Sequence, residues 1–135
     1  MDNSKDKQIK IAIIEDDIPI AAMYEMKLKS SDFEVKIAYN GKDGWELAGD
    51  FKPDLILLDL MMPEMTGEEM LKKMRQTDWG ANIHVIVLTN VSKDEAPSSL
   101  RLLGVERYIV KAHYTPAQVV DIIREVLGKP KSKQV

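Results

Sequence analysis

Residues 55–67 read LILLDLMMPEMTG. The run Leu55–Leu58 is aliphatic throughout and too short for an ordinary helix, which predicts a strand covered on both faces. Asp59 ends it, and by itself an aspartate there reads as a turn residue. Four more short apolar segments recur along the chain, at 9–14 (IKIAII), 33–38 (FEVKIA), 83–88 (IHVIVL) and 105–110 (VERYIV). Longer amphipathic segments separate them, at 19–30, 42–50, 67–76, roughly 94–103, and 116–127. In the last of these Val119, Val120, Ile122, Ile123, Val126 and Leu127 repeat at helical spacing. Thr115-Pro116 supplies its cap and first position, and Gly128 closes it. Pro97 is awkward inside a helix, so the fourth helix is expected to be short and to begin close to it.

Five strands alternating with five helices predict an α/β fold with a five-stranded parallel sheet. The doubly wound, flavodoxin-like order 2-1-3-4-5 is the natural topology. Neither the G-x-G-x-x-G fingerprint nor the P-loop pattern is present, which argues against those nucleotide chemistries. The 135 residues fit one domain at roughly 100–200 residues per domain. That domain is expected over 9–127, with flexible ends at 1–8 and 128–135. Lys plus Arg is 19 against 22 Asp plus Glu, a net charge of −3, so direct nucleic-acid binding is not expected. Cysteine is absent and histidine occurs only at His84 and His113, which excludes thiolate chemistry and a three-histidine metal site. No apolar run approaches the roughly 20 residues of a membrane span, and the N-terminus lacks a signal-peptide stretch. A soluble cytoplasmic protein with no output domain is the expectation.

In open α/β sheets the ligand site lies beyond the carboxyl ends of the strands. Strand one ends in Glu15-Asp16-Asp17, strand three in Asp59, strand four in Thr89-Asn90 and strand five in Lys111. No core packing requires carboxylates, a hydroxyl and an ammonium to converge. Crowded carboxylates repel, and a hard divalent ion such as Mg²⁺ with oxygen ligands resolves the repulsion. Asp16, Asp17, Asp59 and a backbone carbonyl after Asp59 are suitable ligands. With Lys111 and Thr89 these are parts for handling a phosphoryl group, and an aspartate can itself be the nucleophile.

The acidic cluster 15–17, the stretch 59–67 with its aspartate-x-x-methionine-proline-x-x-x-glycine spacing, Thr89, Tyr108 and Lys111 resemble the receiver domain of two-component response regulators, the CheY-like family. The resemblance spans about residues 9–127. It implies that Asp59 accepts a phosphoryl group from the phosphohistidine of a sensor histidine kinase or phosphotransfer protein. It implies that Asp16 and Asp17 hold Mg²⁺, Asp17 more directly, with Asp59 and the Met61 carbonyl. Thr89 and Lys111 would grip the phosphoryl oxygens, and Tyr108 would turn inward as the switch aromatic. The face of the fourth helix, fifth strand and fifth helix would then change its affinity for a downstream target, as monomer or phosphorylation-dependent dimer. Such a protein is a signalling switch rather than a turnover enzyme. The alternative is a pseudo-receiver, a phosphorylation-independent interaction module. Two positions depart from the family pattern. Ala112 stands where a cis proline is usual, so either the strain of about 2.5–4 kcal/mol is tolerated or the loop is rearranged. Asn90 stands where a small residue is usual. Met61, Asn90 and Val91 are expected to modulate access of water to the acyl phosphate.

Overall fold

The computed structural model describes residues 8–128. The flexible ends expected from the sequence fall almost wholly on 1–7 and 129–135, outside the described residues. The elements run β1 (Lys10–Ile14), α1 (Ile18–Lys29), β2 (Glu34–Ala38), α2 (Gly41–Phe51), β3 (Leu55–Leu58), α3 (Gly67–Arg75), β4 (His84–Thr89), β5 (Val105–Val110) and α4 (Pro116–Leu127). Every strand pairing is parallel, in the order β2-β1-β3-β4-β5. The flavodoxin-like architecture is the one the alternating pattern predicts.

Strand alternation sorts the core into two layers. Ile11, Ile13, Leu55, Leu57, Ile86 and Leu88 face α1 and α4. Ala12, Ile14, Ile56, Leu58, Val85 and Val87 face α2 and α3. This double coverage is why the central strands read as unbroken apolar runs. The edge strand β5 is mostly half-buried and carries a register shift opposite Val85 and Ile86. His84 is buried there, its Nδ1 against the Glu106 carboxylate, as a packed histidine. No helix among the described residues is long and apolar enough to cross a membrane.

The expected fourth helix is corrected. The described chain holds four α-helices, and 94–103 instead contains parts of two 3₁₀ turns, Lys93–Glu95 and Ser98–Leu100. Pro97 is the cause. Its ring disfavours the helical region for the preceding Ala96, which lies extended at ψ 145°, so no helix runs through 96–97. Leu100 still anchors the segment in the core. The helix anticipated as the fifth is therefore α4.

The start of α3 lies directly against the end of β3. Gly67 donates its N–H to the Leu60 carbonyl at 3.1 Å, and a Cβ at Gly67 would overlap the Asp59 carbonyl oxygen and lie 3.0 Å from the Leu60 Cα. The obstacles are backbone and cannot swing away. Thr66 and Glu69 complete the start with a reciprocal cap. Gly67→Ala is expected to lower unfolding stability by about 1–3 kcal/mol, read from the denaturation midpoint. An unchanged midpoint would show that the close approach is dispensable.

Candidate functional site

The ends of β1, β3, β4 and β5 open on one cleft of about 280 Å³. Backbone pairing fixes its floor. Glu15 N–H donates to the Ala38 carbonyl at 3.0 Å, and Asp59 N–H donates to the Ile14 carbonyl at 3.0 Å. Each carboxylate is thus tied to a neighbouring strand, and both residues are nearly inaccessible, at 3% and 5% exposure. Asp16 stands beside them at the exposed rim, and carboxylate oxygens of Glu15, Asp16 and Asp59 lie within 4.8 Å of one another. Asp59 Oδ1 also accepts the Met61 N–H at 3.3 Å.

Lys111 supplies the opposing charge. Its Nζ contacts Glu15 Oε1 and lies 3.6 Å from Asp59 Oδ2. The other Glu15 oxygen accepts the Asp17 N–H at 3.1 Å. Burial pushes the Glu15 carboxyl up from its ordinary 4.5 to about 7, against the opposing pull of Lys111 and the Asp17 amide. The nearby Asp59 charge adds to the rise.

Asp17 lines the cleft, yet its carboxylate caps α1, Oδ1 accepting the Ile20 N–H at 3.0 Å. The carboxylates that converge are therefore those of Glu15, Asp16 and Asp59. Glu15 was not singled out from the sequence as a ligand. The signal was there: an aspartate followed by Ile18-Pro19 is a helix-start signature, which assigns Asp17 to the helix and leaves Glu15 to the strand end.

Thr89 is fully buried at the end of β4. Its Oγ1 accepts the Val91 N–H at 3.3 Å, and the Val91 carbonyl accepts the Tyr108 hydroxyl at 2.7 Å. Burial raises the Tyr108 hydroxyl pKa, and the Asp59 and Glu95 charges add to it. Met61 and Asn90 line the cleft. Val91 does not, and enters through its backbone. No peptide bond among the described residues is cis, and Lys111–His113 forms a 3₁₀ turn closed by Tyr114 N–H on the Lys111 carbonyl at 3.4 Å. The loop at Ala112 is thus the rearranged one of the two alternatives.

Chemically, the cleft gathers oxygen donors, a nearly buried carboxylate and an ammonium. The donor set fits a hard divalent ion of the Mg²⁺ kind, which takes oxygen ligands and keeps several waters.

The family model of the response regulator receiver domain matches residues 11–124. The chain is 30% identical over 119 residues to the phosphate regulon transcriptional regulatory protein PhoB of Pseudomonas aeruginosa, covering 88% of this chain and 52% of that protein. It is 32% identical over 126 residues to the response regulator ArlR of Staphylococcus saprophyticus, covering 93% and 56%. The chain thus spans about half the length of these curated relatives. Among solved structures, the chemotaxis response regulator CheY4 of Vibrio cholerae superimposes with a TM-score of 0.81 at 25% identity, over 88% of this chain and 98% of that one.

The raised Glu15 pKa sets a sign for stability. The folded protein holds this proton more tightly than the unfolded chain, so the contribution is complete below pH 4.5 and is lost as pH rises to about 7. In metal-free buffer, Glu15→Gln is expected to lessen the decline of unfolding stability across that window. Parallel profiles for the two proteins would show that Glu15 does not titrate there.

Proposed function

The chain belongs to the response regulator receiver domain family, and from that membership we propose that Asp59 is its phospho-acceptor, supplied by the phosphohistidine of a sensor histidine kinase or phosphotransfer protein. The observation that carries this is the nearly buried Asp59 carboxylate facing Lys111 inside the acidic cleft. An Asp59 carboxylate oxygen attacks phosphorus, the P–N bond breaks, and its electron pair leaves on the imidazole, which takes a proton from solvent. The product is an acyl phosphate. Lys111 and Thr89 hold the phosphoryl oxygens as charge moves through the transition state. Mg²⁺, held by Asp16, Asp59 and the Met61 carbonyl with Glu15 beside it, would supply the further positive charge that the phosphoryl oxygens and crowded carboxylates need. Asp17, taken from the sequence as a direct ligand, keeps its capping role. Ile18 and Met61, 62% and 65% exposed, offer apolar surface to a docking protein donor.

Switching follows from the bonds around Thr89. A Thr89 hydroxyl turned to a phosphoryl oxygen reorganises its contact with the Val91 N–H, and Val91 holds the Tyr108 hydroxyl. Tyr108 borders a groove of about 480 Å³ between residues 93–101 and β5. Phosphorylation therefore shifts a two-state population of this face and alters its affinity for a downstream protein.

Intact mass after incubation with acetyl phosphate and Mg²⁺ tests the reading. One added phosphoryl group is expected, absent in Asp59→Asn and in excess EDTA. No adduct, together with no Mg²⁺ binding by calorimetry, would overturn it in favour of an interaction module. Met61 shields the acyl phosphate from water in this reading, so Met61→Asn is expected to shorten the adduct's half-life by roughly threefold or more, followed by mass after donor removal. An unchanged half-life would remove Met61 from that role.

A further inference from the structure

The segment that replaces the expected fourth helix is held at points that connect differently to the cleft. One lies just before it, where the Tyr108 hydroxyl donates to the carbonyls of Val91, at 2.7 Å, and Ser92, at 3.4 Å. Another is Ser99, whose hydroxyl donates to the Glu68 carboxylate on α3. Lys72 steadies the same carboxylate from one turn further along, at 3.4 Å. Glu68 follows Gly67, whose Cα sits against the backbone of Asp59 and Leu60. Only the short loop 60–66 separates Asp59 from α3. That loop is braced by Met65 N–H on the Pro63 carbonyl at 2.8 Å and by the Thr66–Glu69 cap. The connection from Asp59 to α3 thus runs through backbone rather than through mobile side chains.

We propose that the Glu68–Ser99 hydrogen bond is a second strut, one that reports the state of Asp59 to the groove-lining segment 93–104 through α3, independently of Thr89 and Tyr108. This rests on the phospho-acceptor reading of Asp59. Phosphorylation places bulk and charge on the carboxylate that accepts the Met61 N–H. The braced loop passes the adjustment to Gly67 and Glu68, and Glu68 pulls on Ser99. The receiving element is suited to respond. Its 3₁₀ turns are three residues each, Pro97 interrupts them, Leu100 anchors it in the core, and Arg75 of α3 holds its far end at the Leu103 carbonyl, 2.7 Å away. Its internal bonds are those of short turns, with Leu100 N–H on the Pro97 carbonyl at 3.3 Å and Leu103 N–H on the Ser99 carbonyl at 3.1 Å, and short turns open more readily than a regular helix, which leaves the alternative arrangements that coupling between sites requires. Ser99 and Glu68 are the positioning pair, and neither touches the cleft.

Amide hydrogen exchange of the whole chain, with and without acetyl phosphate and Mg²⁺, reads the strut. Intact mass confirms the adduct in each sample. The wild type is expected to change its exchange at both 90–92 and 98–104 on phosphorylation. Ser99→Ala is expected to form the adduct and keep the response at 90–92, with the response at 98–104 reduced at least by half. Ser99→Thr, which keeps the hydroxyl, is expected to restore it. A full response at 98–104 in Ser99→Ala, or a loss at both segments together, would overturn the second strut. Absence of the adduct in the wild type would instead strike the phospho-acceptor reading, and the strut with it.

Discussion

Carboxylates crowded at the ends of adjacent strands are the constraint on which the rest of the structure depends. Glu15 and Asp59 cannot drift apart, because the Asp59 N–H is held on the carbonyl of Ile14, the residue before Glu15. Their mutual repulsion and the loss of water around them have to be offset in place. Lys111 does this from the far side of the sheet, folding back from the end of β5 to reach Glu15 and Asp59. The arrangement is only partly neutral, since carboxylates outnumber the ammonium. The residual negative charge is what makes the cleft attractive to a hard cation, while burial, with a smaller addition from the Asp59 charge, raises the Glu15 carboxyl.

Rigidity around this cluster comes from the two-layered core. The central strands are buried on both faces, and close-packed interiors of this kind do not deform continuously. Adjustment is therefore confined to the loops at the strand ends and to the edge beyond β4. At that edge β5 is mostly half-buried and the segment preceding it has no α-helix.

Most of the fold was legible because the sequence signals agree with one another. Apolar runs such as Leu55–Leu58 are strands buried on both sides, and the capped, periodic stretch from Thr115 to Gly128 is a helix with its start and stop written in. The misreading at 94–103 comes from a local conflict. Leu100, Leu102 and Leu103 carry an apolar pattern compatible with a helix, and Leu102 is in fact 81% exposed. Pro97 keeps the preceding Ala96 extended, so no helix passes through 96–97, and the few residues left before β5 form only turns. The site was legible to the extent that strand ends can be read. Three consecutive acids at 15–17 left open which side chain faces inward, and only the start of α1, drawing Asp17 into its cap, decides it.

The cap on α1 also explains why the acidic cluster is so compact. An Asp17 carboxylate turned into the cleft would add a further negative charge to a space already short of cations. Spending it on the Ile20 N–H places that charge at the positive end of the α1 dipole, where it is stabilised. The Asp17 N–H then becomes available to Glu15, so one residue relieves the cluster twice: it withdraws a carboxylate and donates a hydrogen bond. Helix start and site electrostatics are in this sense one structure. At the opposite wall the 3₁₀ turn Lys111–His113 starts on the cleft lysine itself. Lys111 and Asp17 are thus both placed by the first residues of a turn or helix. The charge balance of the cleft depends on how those two turns begin rather than on the strands alone.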